Sequence, residues 1–148
     1  MTRYFYHNLK KVLFGIFIAA LLISLNSCSK KIAFLPSSVV PAAEGQVKVK
    51  TDNNKNRAIE IEIVNLAKPQ NLQPPKQMYI VWMETDRGEN KNLGQIKTST
   101  GTFSKNLKAT FNTVTSYQPV RIFITAENDS KAEYPSRERV LTTNQFKR

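Results

Sequence analysis

The sequence is poor in the side chains that enzymes most often use for nucleophilic and metal chemistry. It contains one histidine and one cysteine, and both lie near the amino terminus, as His7 and Cys28. Ser-His, Cys-His and histidine-ligated metal sites cannot be assembled from the remaining residues. A single cysteine also excludes an intramolecular disulfide. The composition therefore favours a non-catalytic protein without a metal or other cofactor.

Long apolar runs are also scarce. One such run covers residues 12–25, and it follows a segment that carries Arg3, Lys10 and Lys11. A helix of that length spans about 21 Å, whereas the hydrocarbon layer of a bilayer is about 30 Å thick. The run is therefore too short for a stable membrane span. A charged segment followed by a short apolar one is typical of a secretory signal peptide, which we expect to be helical.

The end of this segment, Leu25, Asn26, Ser27 and Cys28, resembles the lipobox of bacterial lipoproteins, although Asn26 departs slightly from the usual small residue. The resemblance implies that the Cys28 thiolate takes up a diacylglyceryl group and that Cys28 becomes the first residue of the mature chain. The two acyl chains of that group suffice for stable anchoring in a membrane. A chance cysteine behind an ordinary secretory signal and an uncleaved membrane anchor are the alternatives.

The chain is predicted to have four regions. They are a signal peptide at 1–27, a lipidated tether at 28–38, a β domain at 39–143 and a basic tail at 144–148. The tether begins with Ser-Lys-Lys at 29–31, whereas exported surface lipoproteins of some envelopes carry acidic residues there. We therefore expect a protein of the cell envelope that is anchored by lipid and faces the periplasm.

Positive charge exceeds negative charge, with 22 Lys and Arg against 11 Asp and Glu. Binding to nucleic acid usually requires cations gathered on one arm or helix, but here they are scattered along alternating stretches. We therefore expect no nucleic-acid partner. The expected partners are the membrane, through the lipid on Cys28, and an envelope protein or polysaccharide. A solvated basic surface without a partner is the alternative.

Apolar and polar residues alternate along most of the chain after Cys28, without helical periodicity. Residues 51–57 are rich in Asn and Asp and predict a hairpin turn. The Pro-rich residues 68–76 predict a crossing between sheets, and residues 78–85 are apolar on both faces, as in a covered central strand. Seven strands are predicted, at 47–50, 59–63, 78–85, 92–98, 107–111, 120–126 and 140–143. The series predicts an all-β, immunoglobulin-like antiparallel β-sandwich, with a small barrel as the alternative.

Several of these strands resemble the extracytoplasmic β-sandwich domain of anti-sigma-K factors. The residues that carry the resemblance are Tyr79-Ile80-Val81-Trp82, Leu93-Gly94-Gln95, Arg121-Ile122-Phe123-Ile124-Thr125-Ala126-Glu127 and Pro135. The resemblance covers about residues 40–143 and implies a fold and an envelope setting. Anti-sigma activity is not implied, because the family's sigma-binding helices and membrane span have no counterpart here.

Carboxylates and serines are the next candidates for chemical sites. Glu60 and Glu62 lie two residues apart on one strand, about 7 Å, and therefore share a solvent-side face. Ser104-Lys105 and Ser130-Lys131 supply the atoms of a Ser-Lys dyad, but adjacent strand residues point to opposite faces. The oxygen ligands nearest to a calcium-binding pattern are Glu127, Asn128, Asp129 and Glu133. They lack the glycine and spacing of an EF-hand loop, so a turn with solvated acids is favoured.

Aromatic residues are the remaining candidates for ligand contact, namely Tyr79, Trp82, Tyr117, Phe123 and Tyr134. If exposed, these rings would form a platform for a sugar, and the chain would be a carbohydrate-binding lipoprotein. A single Trp on a central strand is more often a core residue of a sandwich. Phe123 lies on the polar face of its strand, where exposure would mark a contact surface. We favour a lipid-anchored, non-catalytic interaction, structural or sensing module.

Overall fold

A computed structural model describes residues 31–100 and 107–146 of the chain. The predicted helical signal segment, the lipobox and Cys28 lie outside the described residues. Within them the strands are β1 (Lys31–Ala33), β2 (Glu44–Thr51), β3 (Arg57–Val64), β4 (Met78–Thr85), β5 (Asn90–Ile96), β6 (Thr98–Thr100), β7 (Leu107–Thr115), β8 (Pro119–Glu127) and β9 (Leu141–Thr142). A short 3-10 helix, Pro69–Asn71, lies between β3 and β4.

These strands form two antiparallel sheets. Sheet one has the order β1-β2-β3-β7-β6, and sheet two has the order β5-β4-β8-β9. Without β1, the two orders match the A-B-E-D and C′-C-F-G sheets of an immunoglobulin-type sandwich. The predicted all-β sandwich is therefore confirmed. All seven predicted strands occur, and the described residues add two three-residue strands, β1 and β6.

The inner face of sheet one is apolar because apolar and charged residues alternate along β2 and β3. Val47 pairs with Ile61 and Val49 with Ile59, and all four side chains are buried. The predicted turn between these strands is stabilised by Asp52, whose carboxylate accepts the N–H groups of the residues two and four positions later, at 2.9 and 2.8 Å. The hairpin therefore arises from cross-strand apolar pairs and an Asx-type turn.

The chain passes between the two sheets three times, after β3, after β5 and after β7. The Pro-rich segment 68–76 leads from β3 in sheet one to β4 in sheet two, as predicted. The predicted strand at 92–98 was wrong at its end, because it is divided at Lys97. Residues up to Ile96 pair with β4, whereas Thr98 pairs with β7 in the other sheet. A buried isoleucine followed by an exposed lysine marks the point where the strand changes sheets.

The folded unit extends beyond the predicted limits of 39 and 143 at both ends. Residues 31–33 of the predicted tether form β1, and the buried Phe34 bridges to Thr143, joining the two sheets along one side. In the predicted basic tail, Phe146 is buried and its N–H bonds the carbonyl of Val120 at 2.8 Å. Both ends fold onto the domain because each contributes an apolar side chain to the core.

The central strands β4 and β8 bury side chains on both faces. Tyr79, Val81 and Met83 join the core between the sheets, together with Ile122 and Ile124. The alternate residues of the same strands face outward, yet they are buried too. Sheet two is therefore covered on both sides at its centre, which is the condition under which a strand is apolar on both faces.

Candidate functional site

The outer face of sheet two carries a second apolar cluster, formed by Ile80, Trp82 and Phe123. Trp82 lies directly opposite Phe123 in the β4–β8 register. The two ring centroids are 6.4 Å apart and the ring planes are within 10° of parallel. All three side chains are fully buried. Since they point away from the space between the sheets, their cover must come from another part of the chain.

That cover is the segment between β8 and β9, residues 128–140, called here the β8–β9 loop. A chain of hydrogen bonds holds it to the sheet. The Trp82 indole N–H donates to the Thr125 hydroxyl at 2.8 Å, and that hydroxyl donates to the Glu127 carboxylate at 2.6 Å. The same carboxylate accepts the backbone N–H and the hydroxyl of Ser136 at 2.8 and 2.7 Å. Glu127 thus joins the indole network to the loop.

Two further contacts fix the loop over the sheet. The Asn92 side chain on edge strand β5 donates to the carbonyls of Ser130 and Ala132, both at 3.1 Å. The Arg139 guanidinium lies 4.3 Å from the centre of the Phe123 ring, within the range of a cation–π interaction. Within the described part of the chain, every buried side-chain nitrogen or oxygen has a hydrogen-bond partner. The polar groups beneath the loop are therefore engaged in holding the fold.

Three of the five predicted ligand-contact residues are buried. Trp82 and Phe123 lie beneath the β8–β9 loop, and Tyr79 lies in the core, where its hydroxyl donates to the Ala67 carbonyl at 2.9 Å. Burial raises the pKa of Tyr79 to about 12. Phe123 does not have the exposure that a contact surface would require, because the β8–β9 loop covers the outer face of β8. An aromatic platform that needs an exposed Trp82 is not formed.

The other two predicted residues are exposed but lie far apart. Tyr117 is 48% exposed in the turn before β8, where the Lys91 ammonium is 5.2 Å from its ring centre. Tyr134 is 81% exposed in the β8–β9 loop, two residues from Ser136, which bonds the last residue of β8. A nine-residue strand is about 30 Å long. The structure therefore places the two rings at opposite ends of β8 and does not bring them together.

The predicted oxygen-ligand cluster does not form a cation cage. The Glu127 carboxylate is committed to Thr125 and Ser136, and the Asp129 carboxylate accepts the backbone N–H of Lys131 at 2.9 Å in a turn. Among residues 31–100 and 107–146, no three His, Cys, Asp or Glu side chains gather as a metal site would require. The favoured turn interpretation agrees with these contacts.

A ladder of opposite charges occupies the outer face of sheet one. Glu60 lies 3.2 Å from Lys50 and 3.9 Å from Lys48, and Glu62 lies 3.7 Å from Lys48. A hydrogen bond from Gln46, followed by the charge of Lys48, lowers the pKa of Glu62. The two glutamates therefore act as partners for lysines on the solvent side. Ser104-Lys105 lies outside the described residues, and Ser130 contributes only its carbonyl to a described hydrogen bond.

Concave surfaces lie at both ends of the sandwich. A concavity of about 850 Å³ is lined by Glu84, Thr85, Asp86, Gly88, Gln118, Val120, Gln145 and Phe146. The Glu84 carboxylate in its wall forms an ion pair with the Arg121 guanidinium at 2.8 Å. A more apolar groove of about 470 Å³, at the opposite end, is lined by Val39, Val40, Pro41, Ala42, Asn65, Ala67, Asn71, Leu72 and Leu107. Neither wall presents an arrangement of side chains that resembles a catalytic site.

No family model, curated protein or solved structure matches the chain. The resemblance to the extracytoplasmic domain of anti-sigma-K factors therefore stays a prediction. In the part of the chain that the structure describes, no helix is long and apolar enough to cross a membrane.

Sequence reasoning did not identify the residues that hold the β8–β9 loop, above all Glu127, Ser136 and Arg139. One signal for a covered outer face was present, since β4 is apolar at every position from Met78 to Met83. Such a strand needs cover on both sides. The covering segment itself has no periodicity, so its contacts with the sheet could not be assigned.

Proposed function

We propose that the chain is a lipid-anchored, non-catalytic protein of the bacterial cell envelope, whose β-sandwich is an interaction module held at a membrane surface. The observation that carries the proposal is the position of Cys28, at the end of a segment that resembles a lipobox and three residues before β1 begins at Lys31. Three residues span at most about 11 Å when fully extended. The lipid would therefore hold the sandwich against the membrane by its edge strand.

The hydrogen bonding of the domain supports a binding role over a catalytic one. A catalytic group must keep a proton-transfer or nucleophilic atom directed at a substrate. The buried carboxylate of Glu127 instead accepts three hydrogen bonds from Thr125 and Ser136. The same holds for the buried Trp82 and Tyr79, whose polar atoms are bonded to protein oxygens. The surfaces left for a partner are the charged face of sheet one and the ends of the sandwich.

The basic residues after Cys28 favour a periplasmic orientation, with an envelope protein or a polysaccharide as the partner. The carbohydrate-binding alternative loses its strongest support because Trp82 and Phe123 are buried. Tyr117 and Tyr134 are the predicted contact residues that are still exposed, and they lie at opposite ends of β8. Two separated rings provide little stacking surface for a sugar, so we favour a protein partner or an anionic surface over sugar stacking.

Cys28→Ala tests the anchor directly. In bacterial cells, the unchanged chain should mature to a form that begins at Cys28 and carries the mass of the diacylglyceryl group. The variant should keep the precursor mass and gain no acyl group, because alanine has no sulfur for the thioether bond. Ser29→Ala is the matched control and should mature normally. Intact mass spectrometry of the membrane fraction distinguishes these outcomes, and an unacylated parent chain that still begins at Met1 would overturn the proposal.

A further inference from the structure

Strand β7 has one edge that is open along most of its length. Its other edge pairs with β3 over residues 108–115, whereas β6 covers only residues 107–109. Within the described part of the chain, no further strand pairs with residues 110–115 on the open side. An open edge presents backbone N–H and C=O groups that are able to pair with another chain.

The backbone groups that face this open edge follow from one hydrogen bond. The Asn65 N–H donates to the carbonyl of Leu107 at 2.7 Å, so the backbone of Leu107 is directed at the β3 side. Hydrogen-bonded and non-hydrogen-bonded positions alternate along an antiparallel pair. The odd-numbered residues of β7 therefore bond β3. Thr110, Asn112 and Val114 direct their N–H and C=O groups to the open edge.

This edge lacks the features that usually prevent strands from pairing with other chains. Natural proteins protect exposed edges with charged side chains, proline, bulges or very short strands. The edge strand β5 has Lys91 and a bulge in its pairing with β4, and β1 is three residues long and begins with Lys31. Residues 110–115 of β7, Thr-Phe-Asn-Thr-Val-Thr, contain no charge and no proline, and their pairing with β3 has no bulge. Val114 is also 62% exposed.

The open stretch is complementary to a second copy of itself. In an antiparallel pair with a twofold axis at Thr113, Asn112 of each copy lies opposite Val114 of the other copy. The residues that direct their backbone groups to the open edge therefore meet one another, as hydrogen bonding requires. Thr113 lies opposite itself, and Phe111 lies opposite Thr115. No like charges face each other, and cross-strand pairs of Thr, Val and aromatic residues stabilise sheets.

Strand β6 determines where the axis lies. Thr98 of β6 lies beside Ala109, so a second strand cannot occupy that position. With the axis at Asn112, Thr115 of the second copy would lie opposite Ala109 and collide with Thr98. With the axis at Thr113, the second β7 strand ends two positions earlier and clears β6. The axis at Thr113 is therefore the one that the open stretch accommodates.

We infer that two copies of the chain pair through the open edges of β7 and join their first sheets across a twofold axis at Thr113. Residues 111–115 form a contact about 17 Å long. Such a contact is smaller than a standard protein interface, so the association is weak and covalent trapping is the suitable measurement. The inference does not depend on the lipid anchor. Pairing along this side leaves the outer faces and both ends of the sandwich free for an envelope partner.

A cysteine at the axis tests the pairing. In a non-hydrogen-bonded antiparallel pair the Cα atoms are about 4.5 Å apart, which a disulfide can bridge. Purified full-length Thr113→Cys should therefore form a disulfide-linked dimer under mild oxidation, measured on a non-reducing gel. Thr110→Cys is the matched control, because its two copies would lie about 20 Å apart. The axis variant should give several-fold more dimer, although Thr110 is the more exposed residue. The parent chain measures any contribution of Cys28.

Substitutions of Asn112 test the backbone hydrogen bonds. In the Thr113→Cys chain, Asn112→Pro removes an N–H that faces the open edge, where proline is tolerated, and should lower the dimer yield several-fold. Asn112→Ala keeps the N–H and should leave the yield unchanged. Equal dimer from Thr113→Cys and Thr110→Cys, or a yield that proline does not lower, would overturn the inference.

A second trapping experiment uses two exposed positions, so that the result does not depend on folding of the axis variant. Chains with Asn112→Cys and chains with Val114→Cys are mixed and oxidised. The mixed dimer should exceed either homodimer several-fold, because these two positions lie opposite each other across the axis. Equal yields of the three dimers would overturn the proposed register. In whole cells, trapping of Thr113→Cys on another protein without a dimer would assign the edge to a different partner and overturn self-pairing.

Discussion

Replacement of Glu127 should test whether the β8–β9 loop is a structural part of the domain. The carboxylate is buried and accepts three hydrogen bonds, one from Thr125 and two from Ser136. Glu127→Ala removes the acceptor for all three, and hydrogen bonds to charged groups contribute about 1.5 to 3 kcal/mol each but are not additive. We expect the free energy of unfolding to fall by about 3 kcal/mol.

Glu127→Gln is the matched control for shape. Its side-chain oxygen can keep the bonds from Thr125 and from the Ser136 N–H, while its NH₂ group donates to the Ser136 hydroxyl oxygen. The charge is lost but the network is retained, so the expected loss is about 1 kcal/mol. Both variants are therefore predicted to fold, with clearly different stabilities.

Urea unfolding measures the difference. With a slope near 2 kcal/mol per molar urea, the alanine variant should unfold about 1.5 M earlier than the parent protein. Trp82 is the lone tryptophan and lies directly beneath the loop, so its fluorescence reports detachment of the loop, while far-UV circular dichroism reports the sheets. A loss below about 1 kcal/mol in the alanine variant, or equal losses in the two variants, would refute a structural role for the carboxylate.

The other predictions concern Trp82 in the outer cluster, Gly45 in β2 and Tyr79 in the core between the sheets. Trp82→Ala should lower the free energy of unfolding by about 3 to 5 kcal/mol, because it empties a fully buried site, and circular dichroism is the measurement. Gly45→Ala should cost about 2 to 3 kcal/mol in urea unfolding, because the added Cβ would lie 2.7 Å from the Glu62 carbonyl oxygen. The pKa of Tyr79, about 12 against 10 when unfolded, should make stability fall between those pH values. Tyr79→Phe should flatten that decline and remove the absorbance change near pH 12.

Each of these has a control or a contrary outcome. A Trp82→Ala loss under about 1 kcal/mol would mean that the ring is accessible to solvent. Gly88→Ala has open space around the new Cβ and should cost about 1 kcal/mol for its positive φ alone, so an equal loss at Gly45 would contradict the steric argument. Unchanged alkaline unfolding in Tyr79→Phe would mean that the phenol does not cause the decline.

Much of the fold could be predicted because strand periodicity and turn composition are local signals. The β2–β3 hairpin is specified by alternating Val and Ile residues around an Asn-rich turn. The Pro-rich crossing after β3 is similarly local. The early start of the domain could not be predicted in this way, because β1 is three residues long. Its pairing depends on contacts with β2 and on the bridge from Phe34 to Thr143, which are distant in the sequence.

The face of sheet two on which Trp82 lies could not be predicted from the local sequence. In a strand that is apolar at successive positions, no alternation shows which side chains face the core, so β4 alone does not say whether Tyr79 or Trp82 faces the other sheet. The neighbouring β8 does show an alternation, because Arg121, Phe123 and Thr125 alternate with isoleucines. Pairing of Trp82 with Phe123 then assigns the indole to the outer face. That register was available only from the structure.

The same cover over sheet two limits where a partner could bind. The β8–β9 loop closes the outer face above Trp82, and the ion pair between Glu84 and Arg121 occupies the next position along the two strands. Binding there would require the loop to detach, which the Glu127 network opposes. The surfaces left for a partner are the outer face of sheet one and the two ends of the sandwich. The groove between Val39 and Leu72 is lined mainly by apolar side chains, so it is the first surface on which to seek a protein contact.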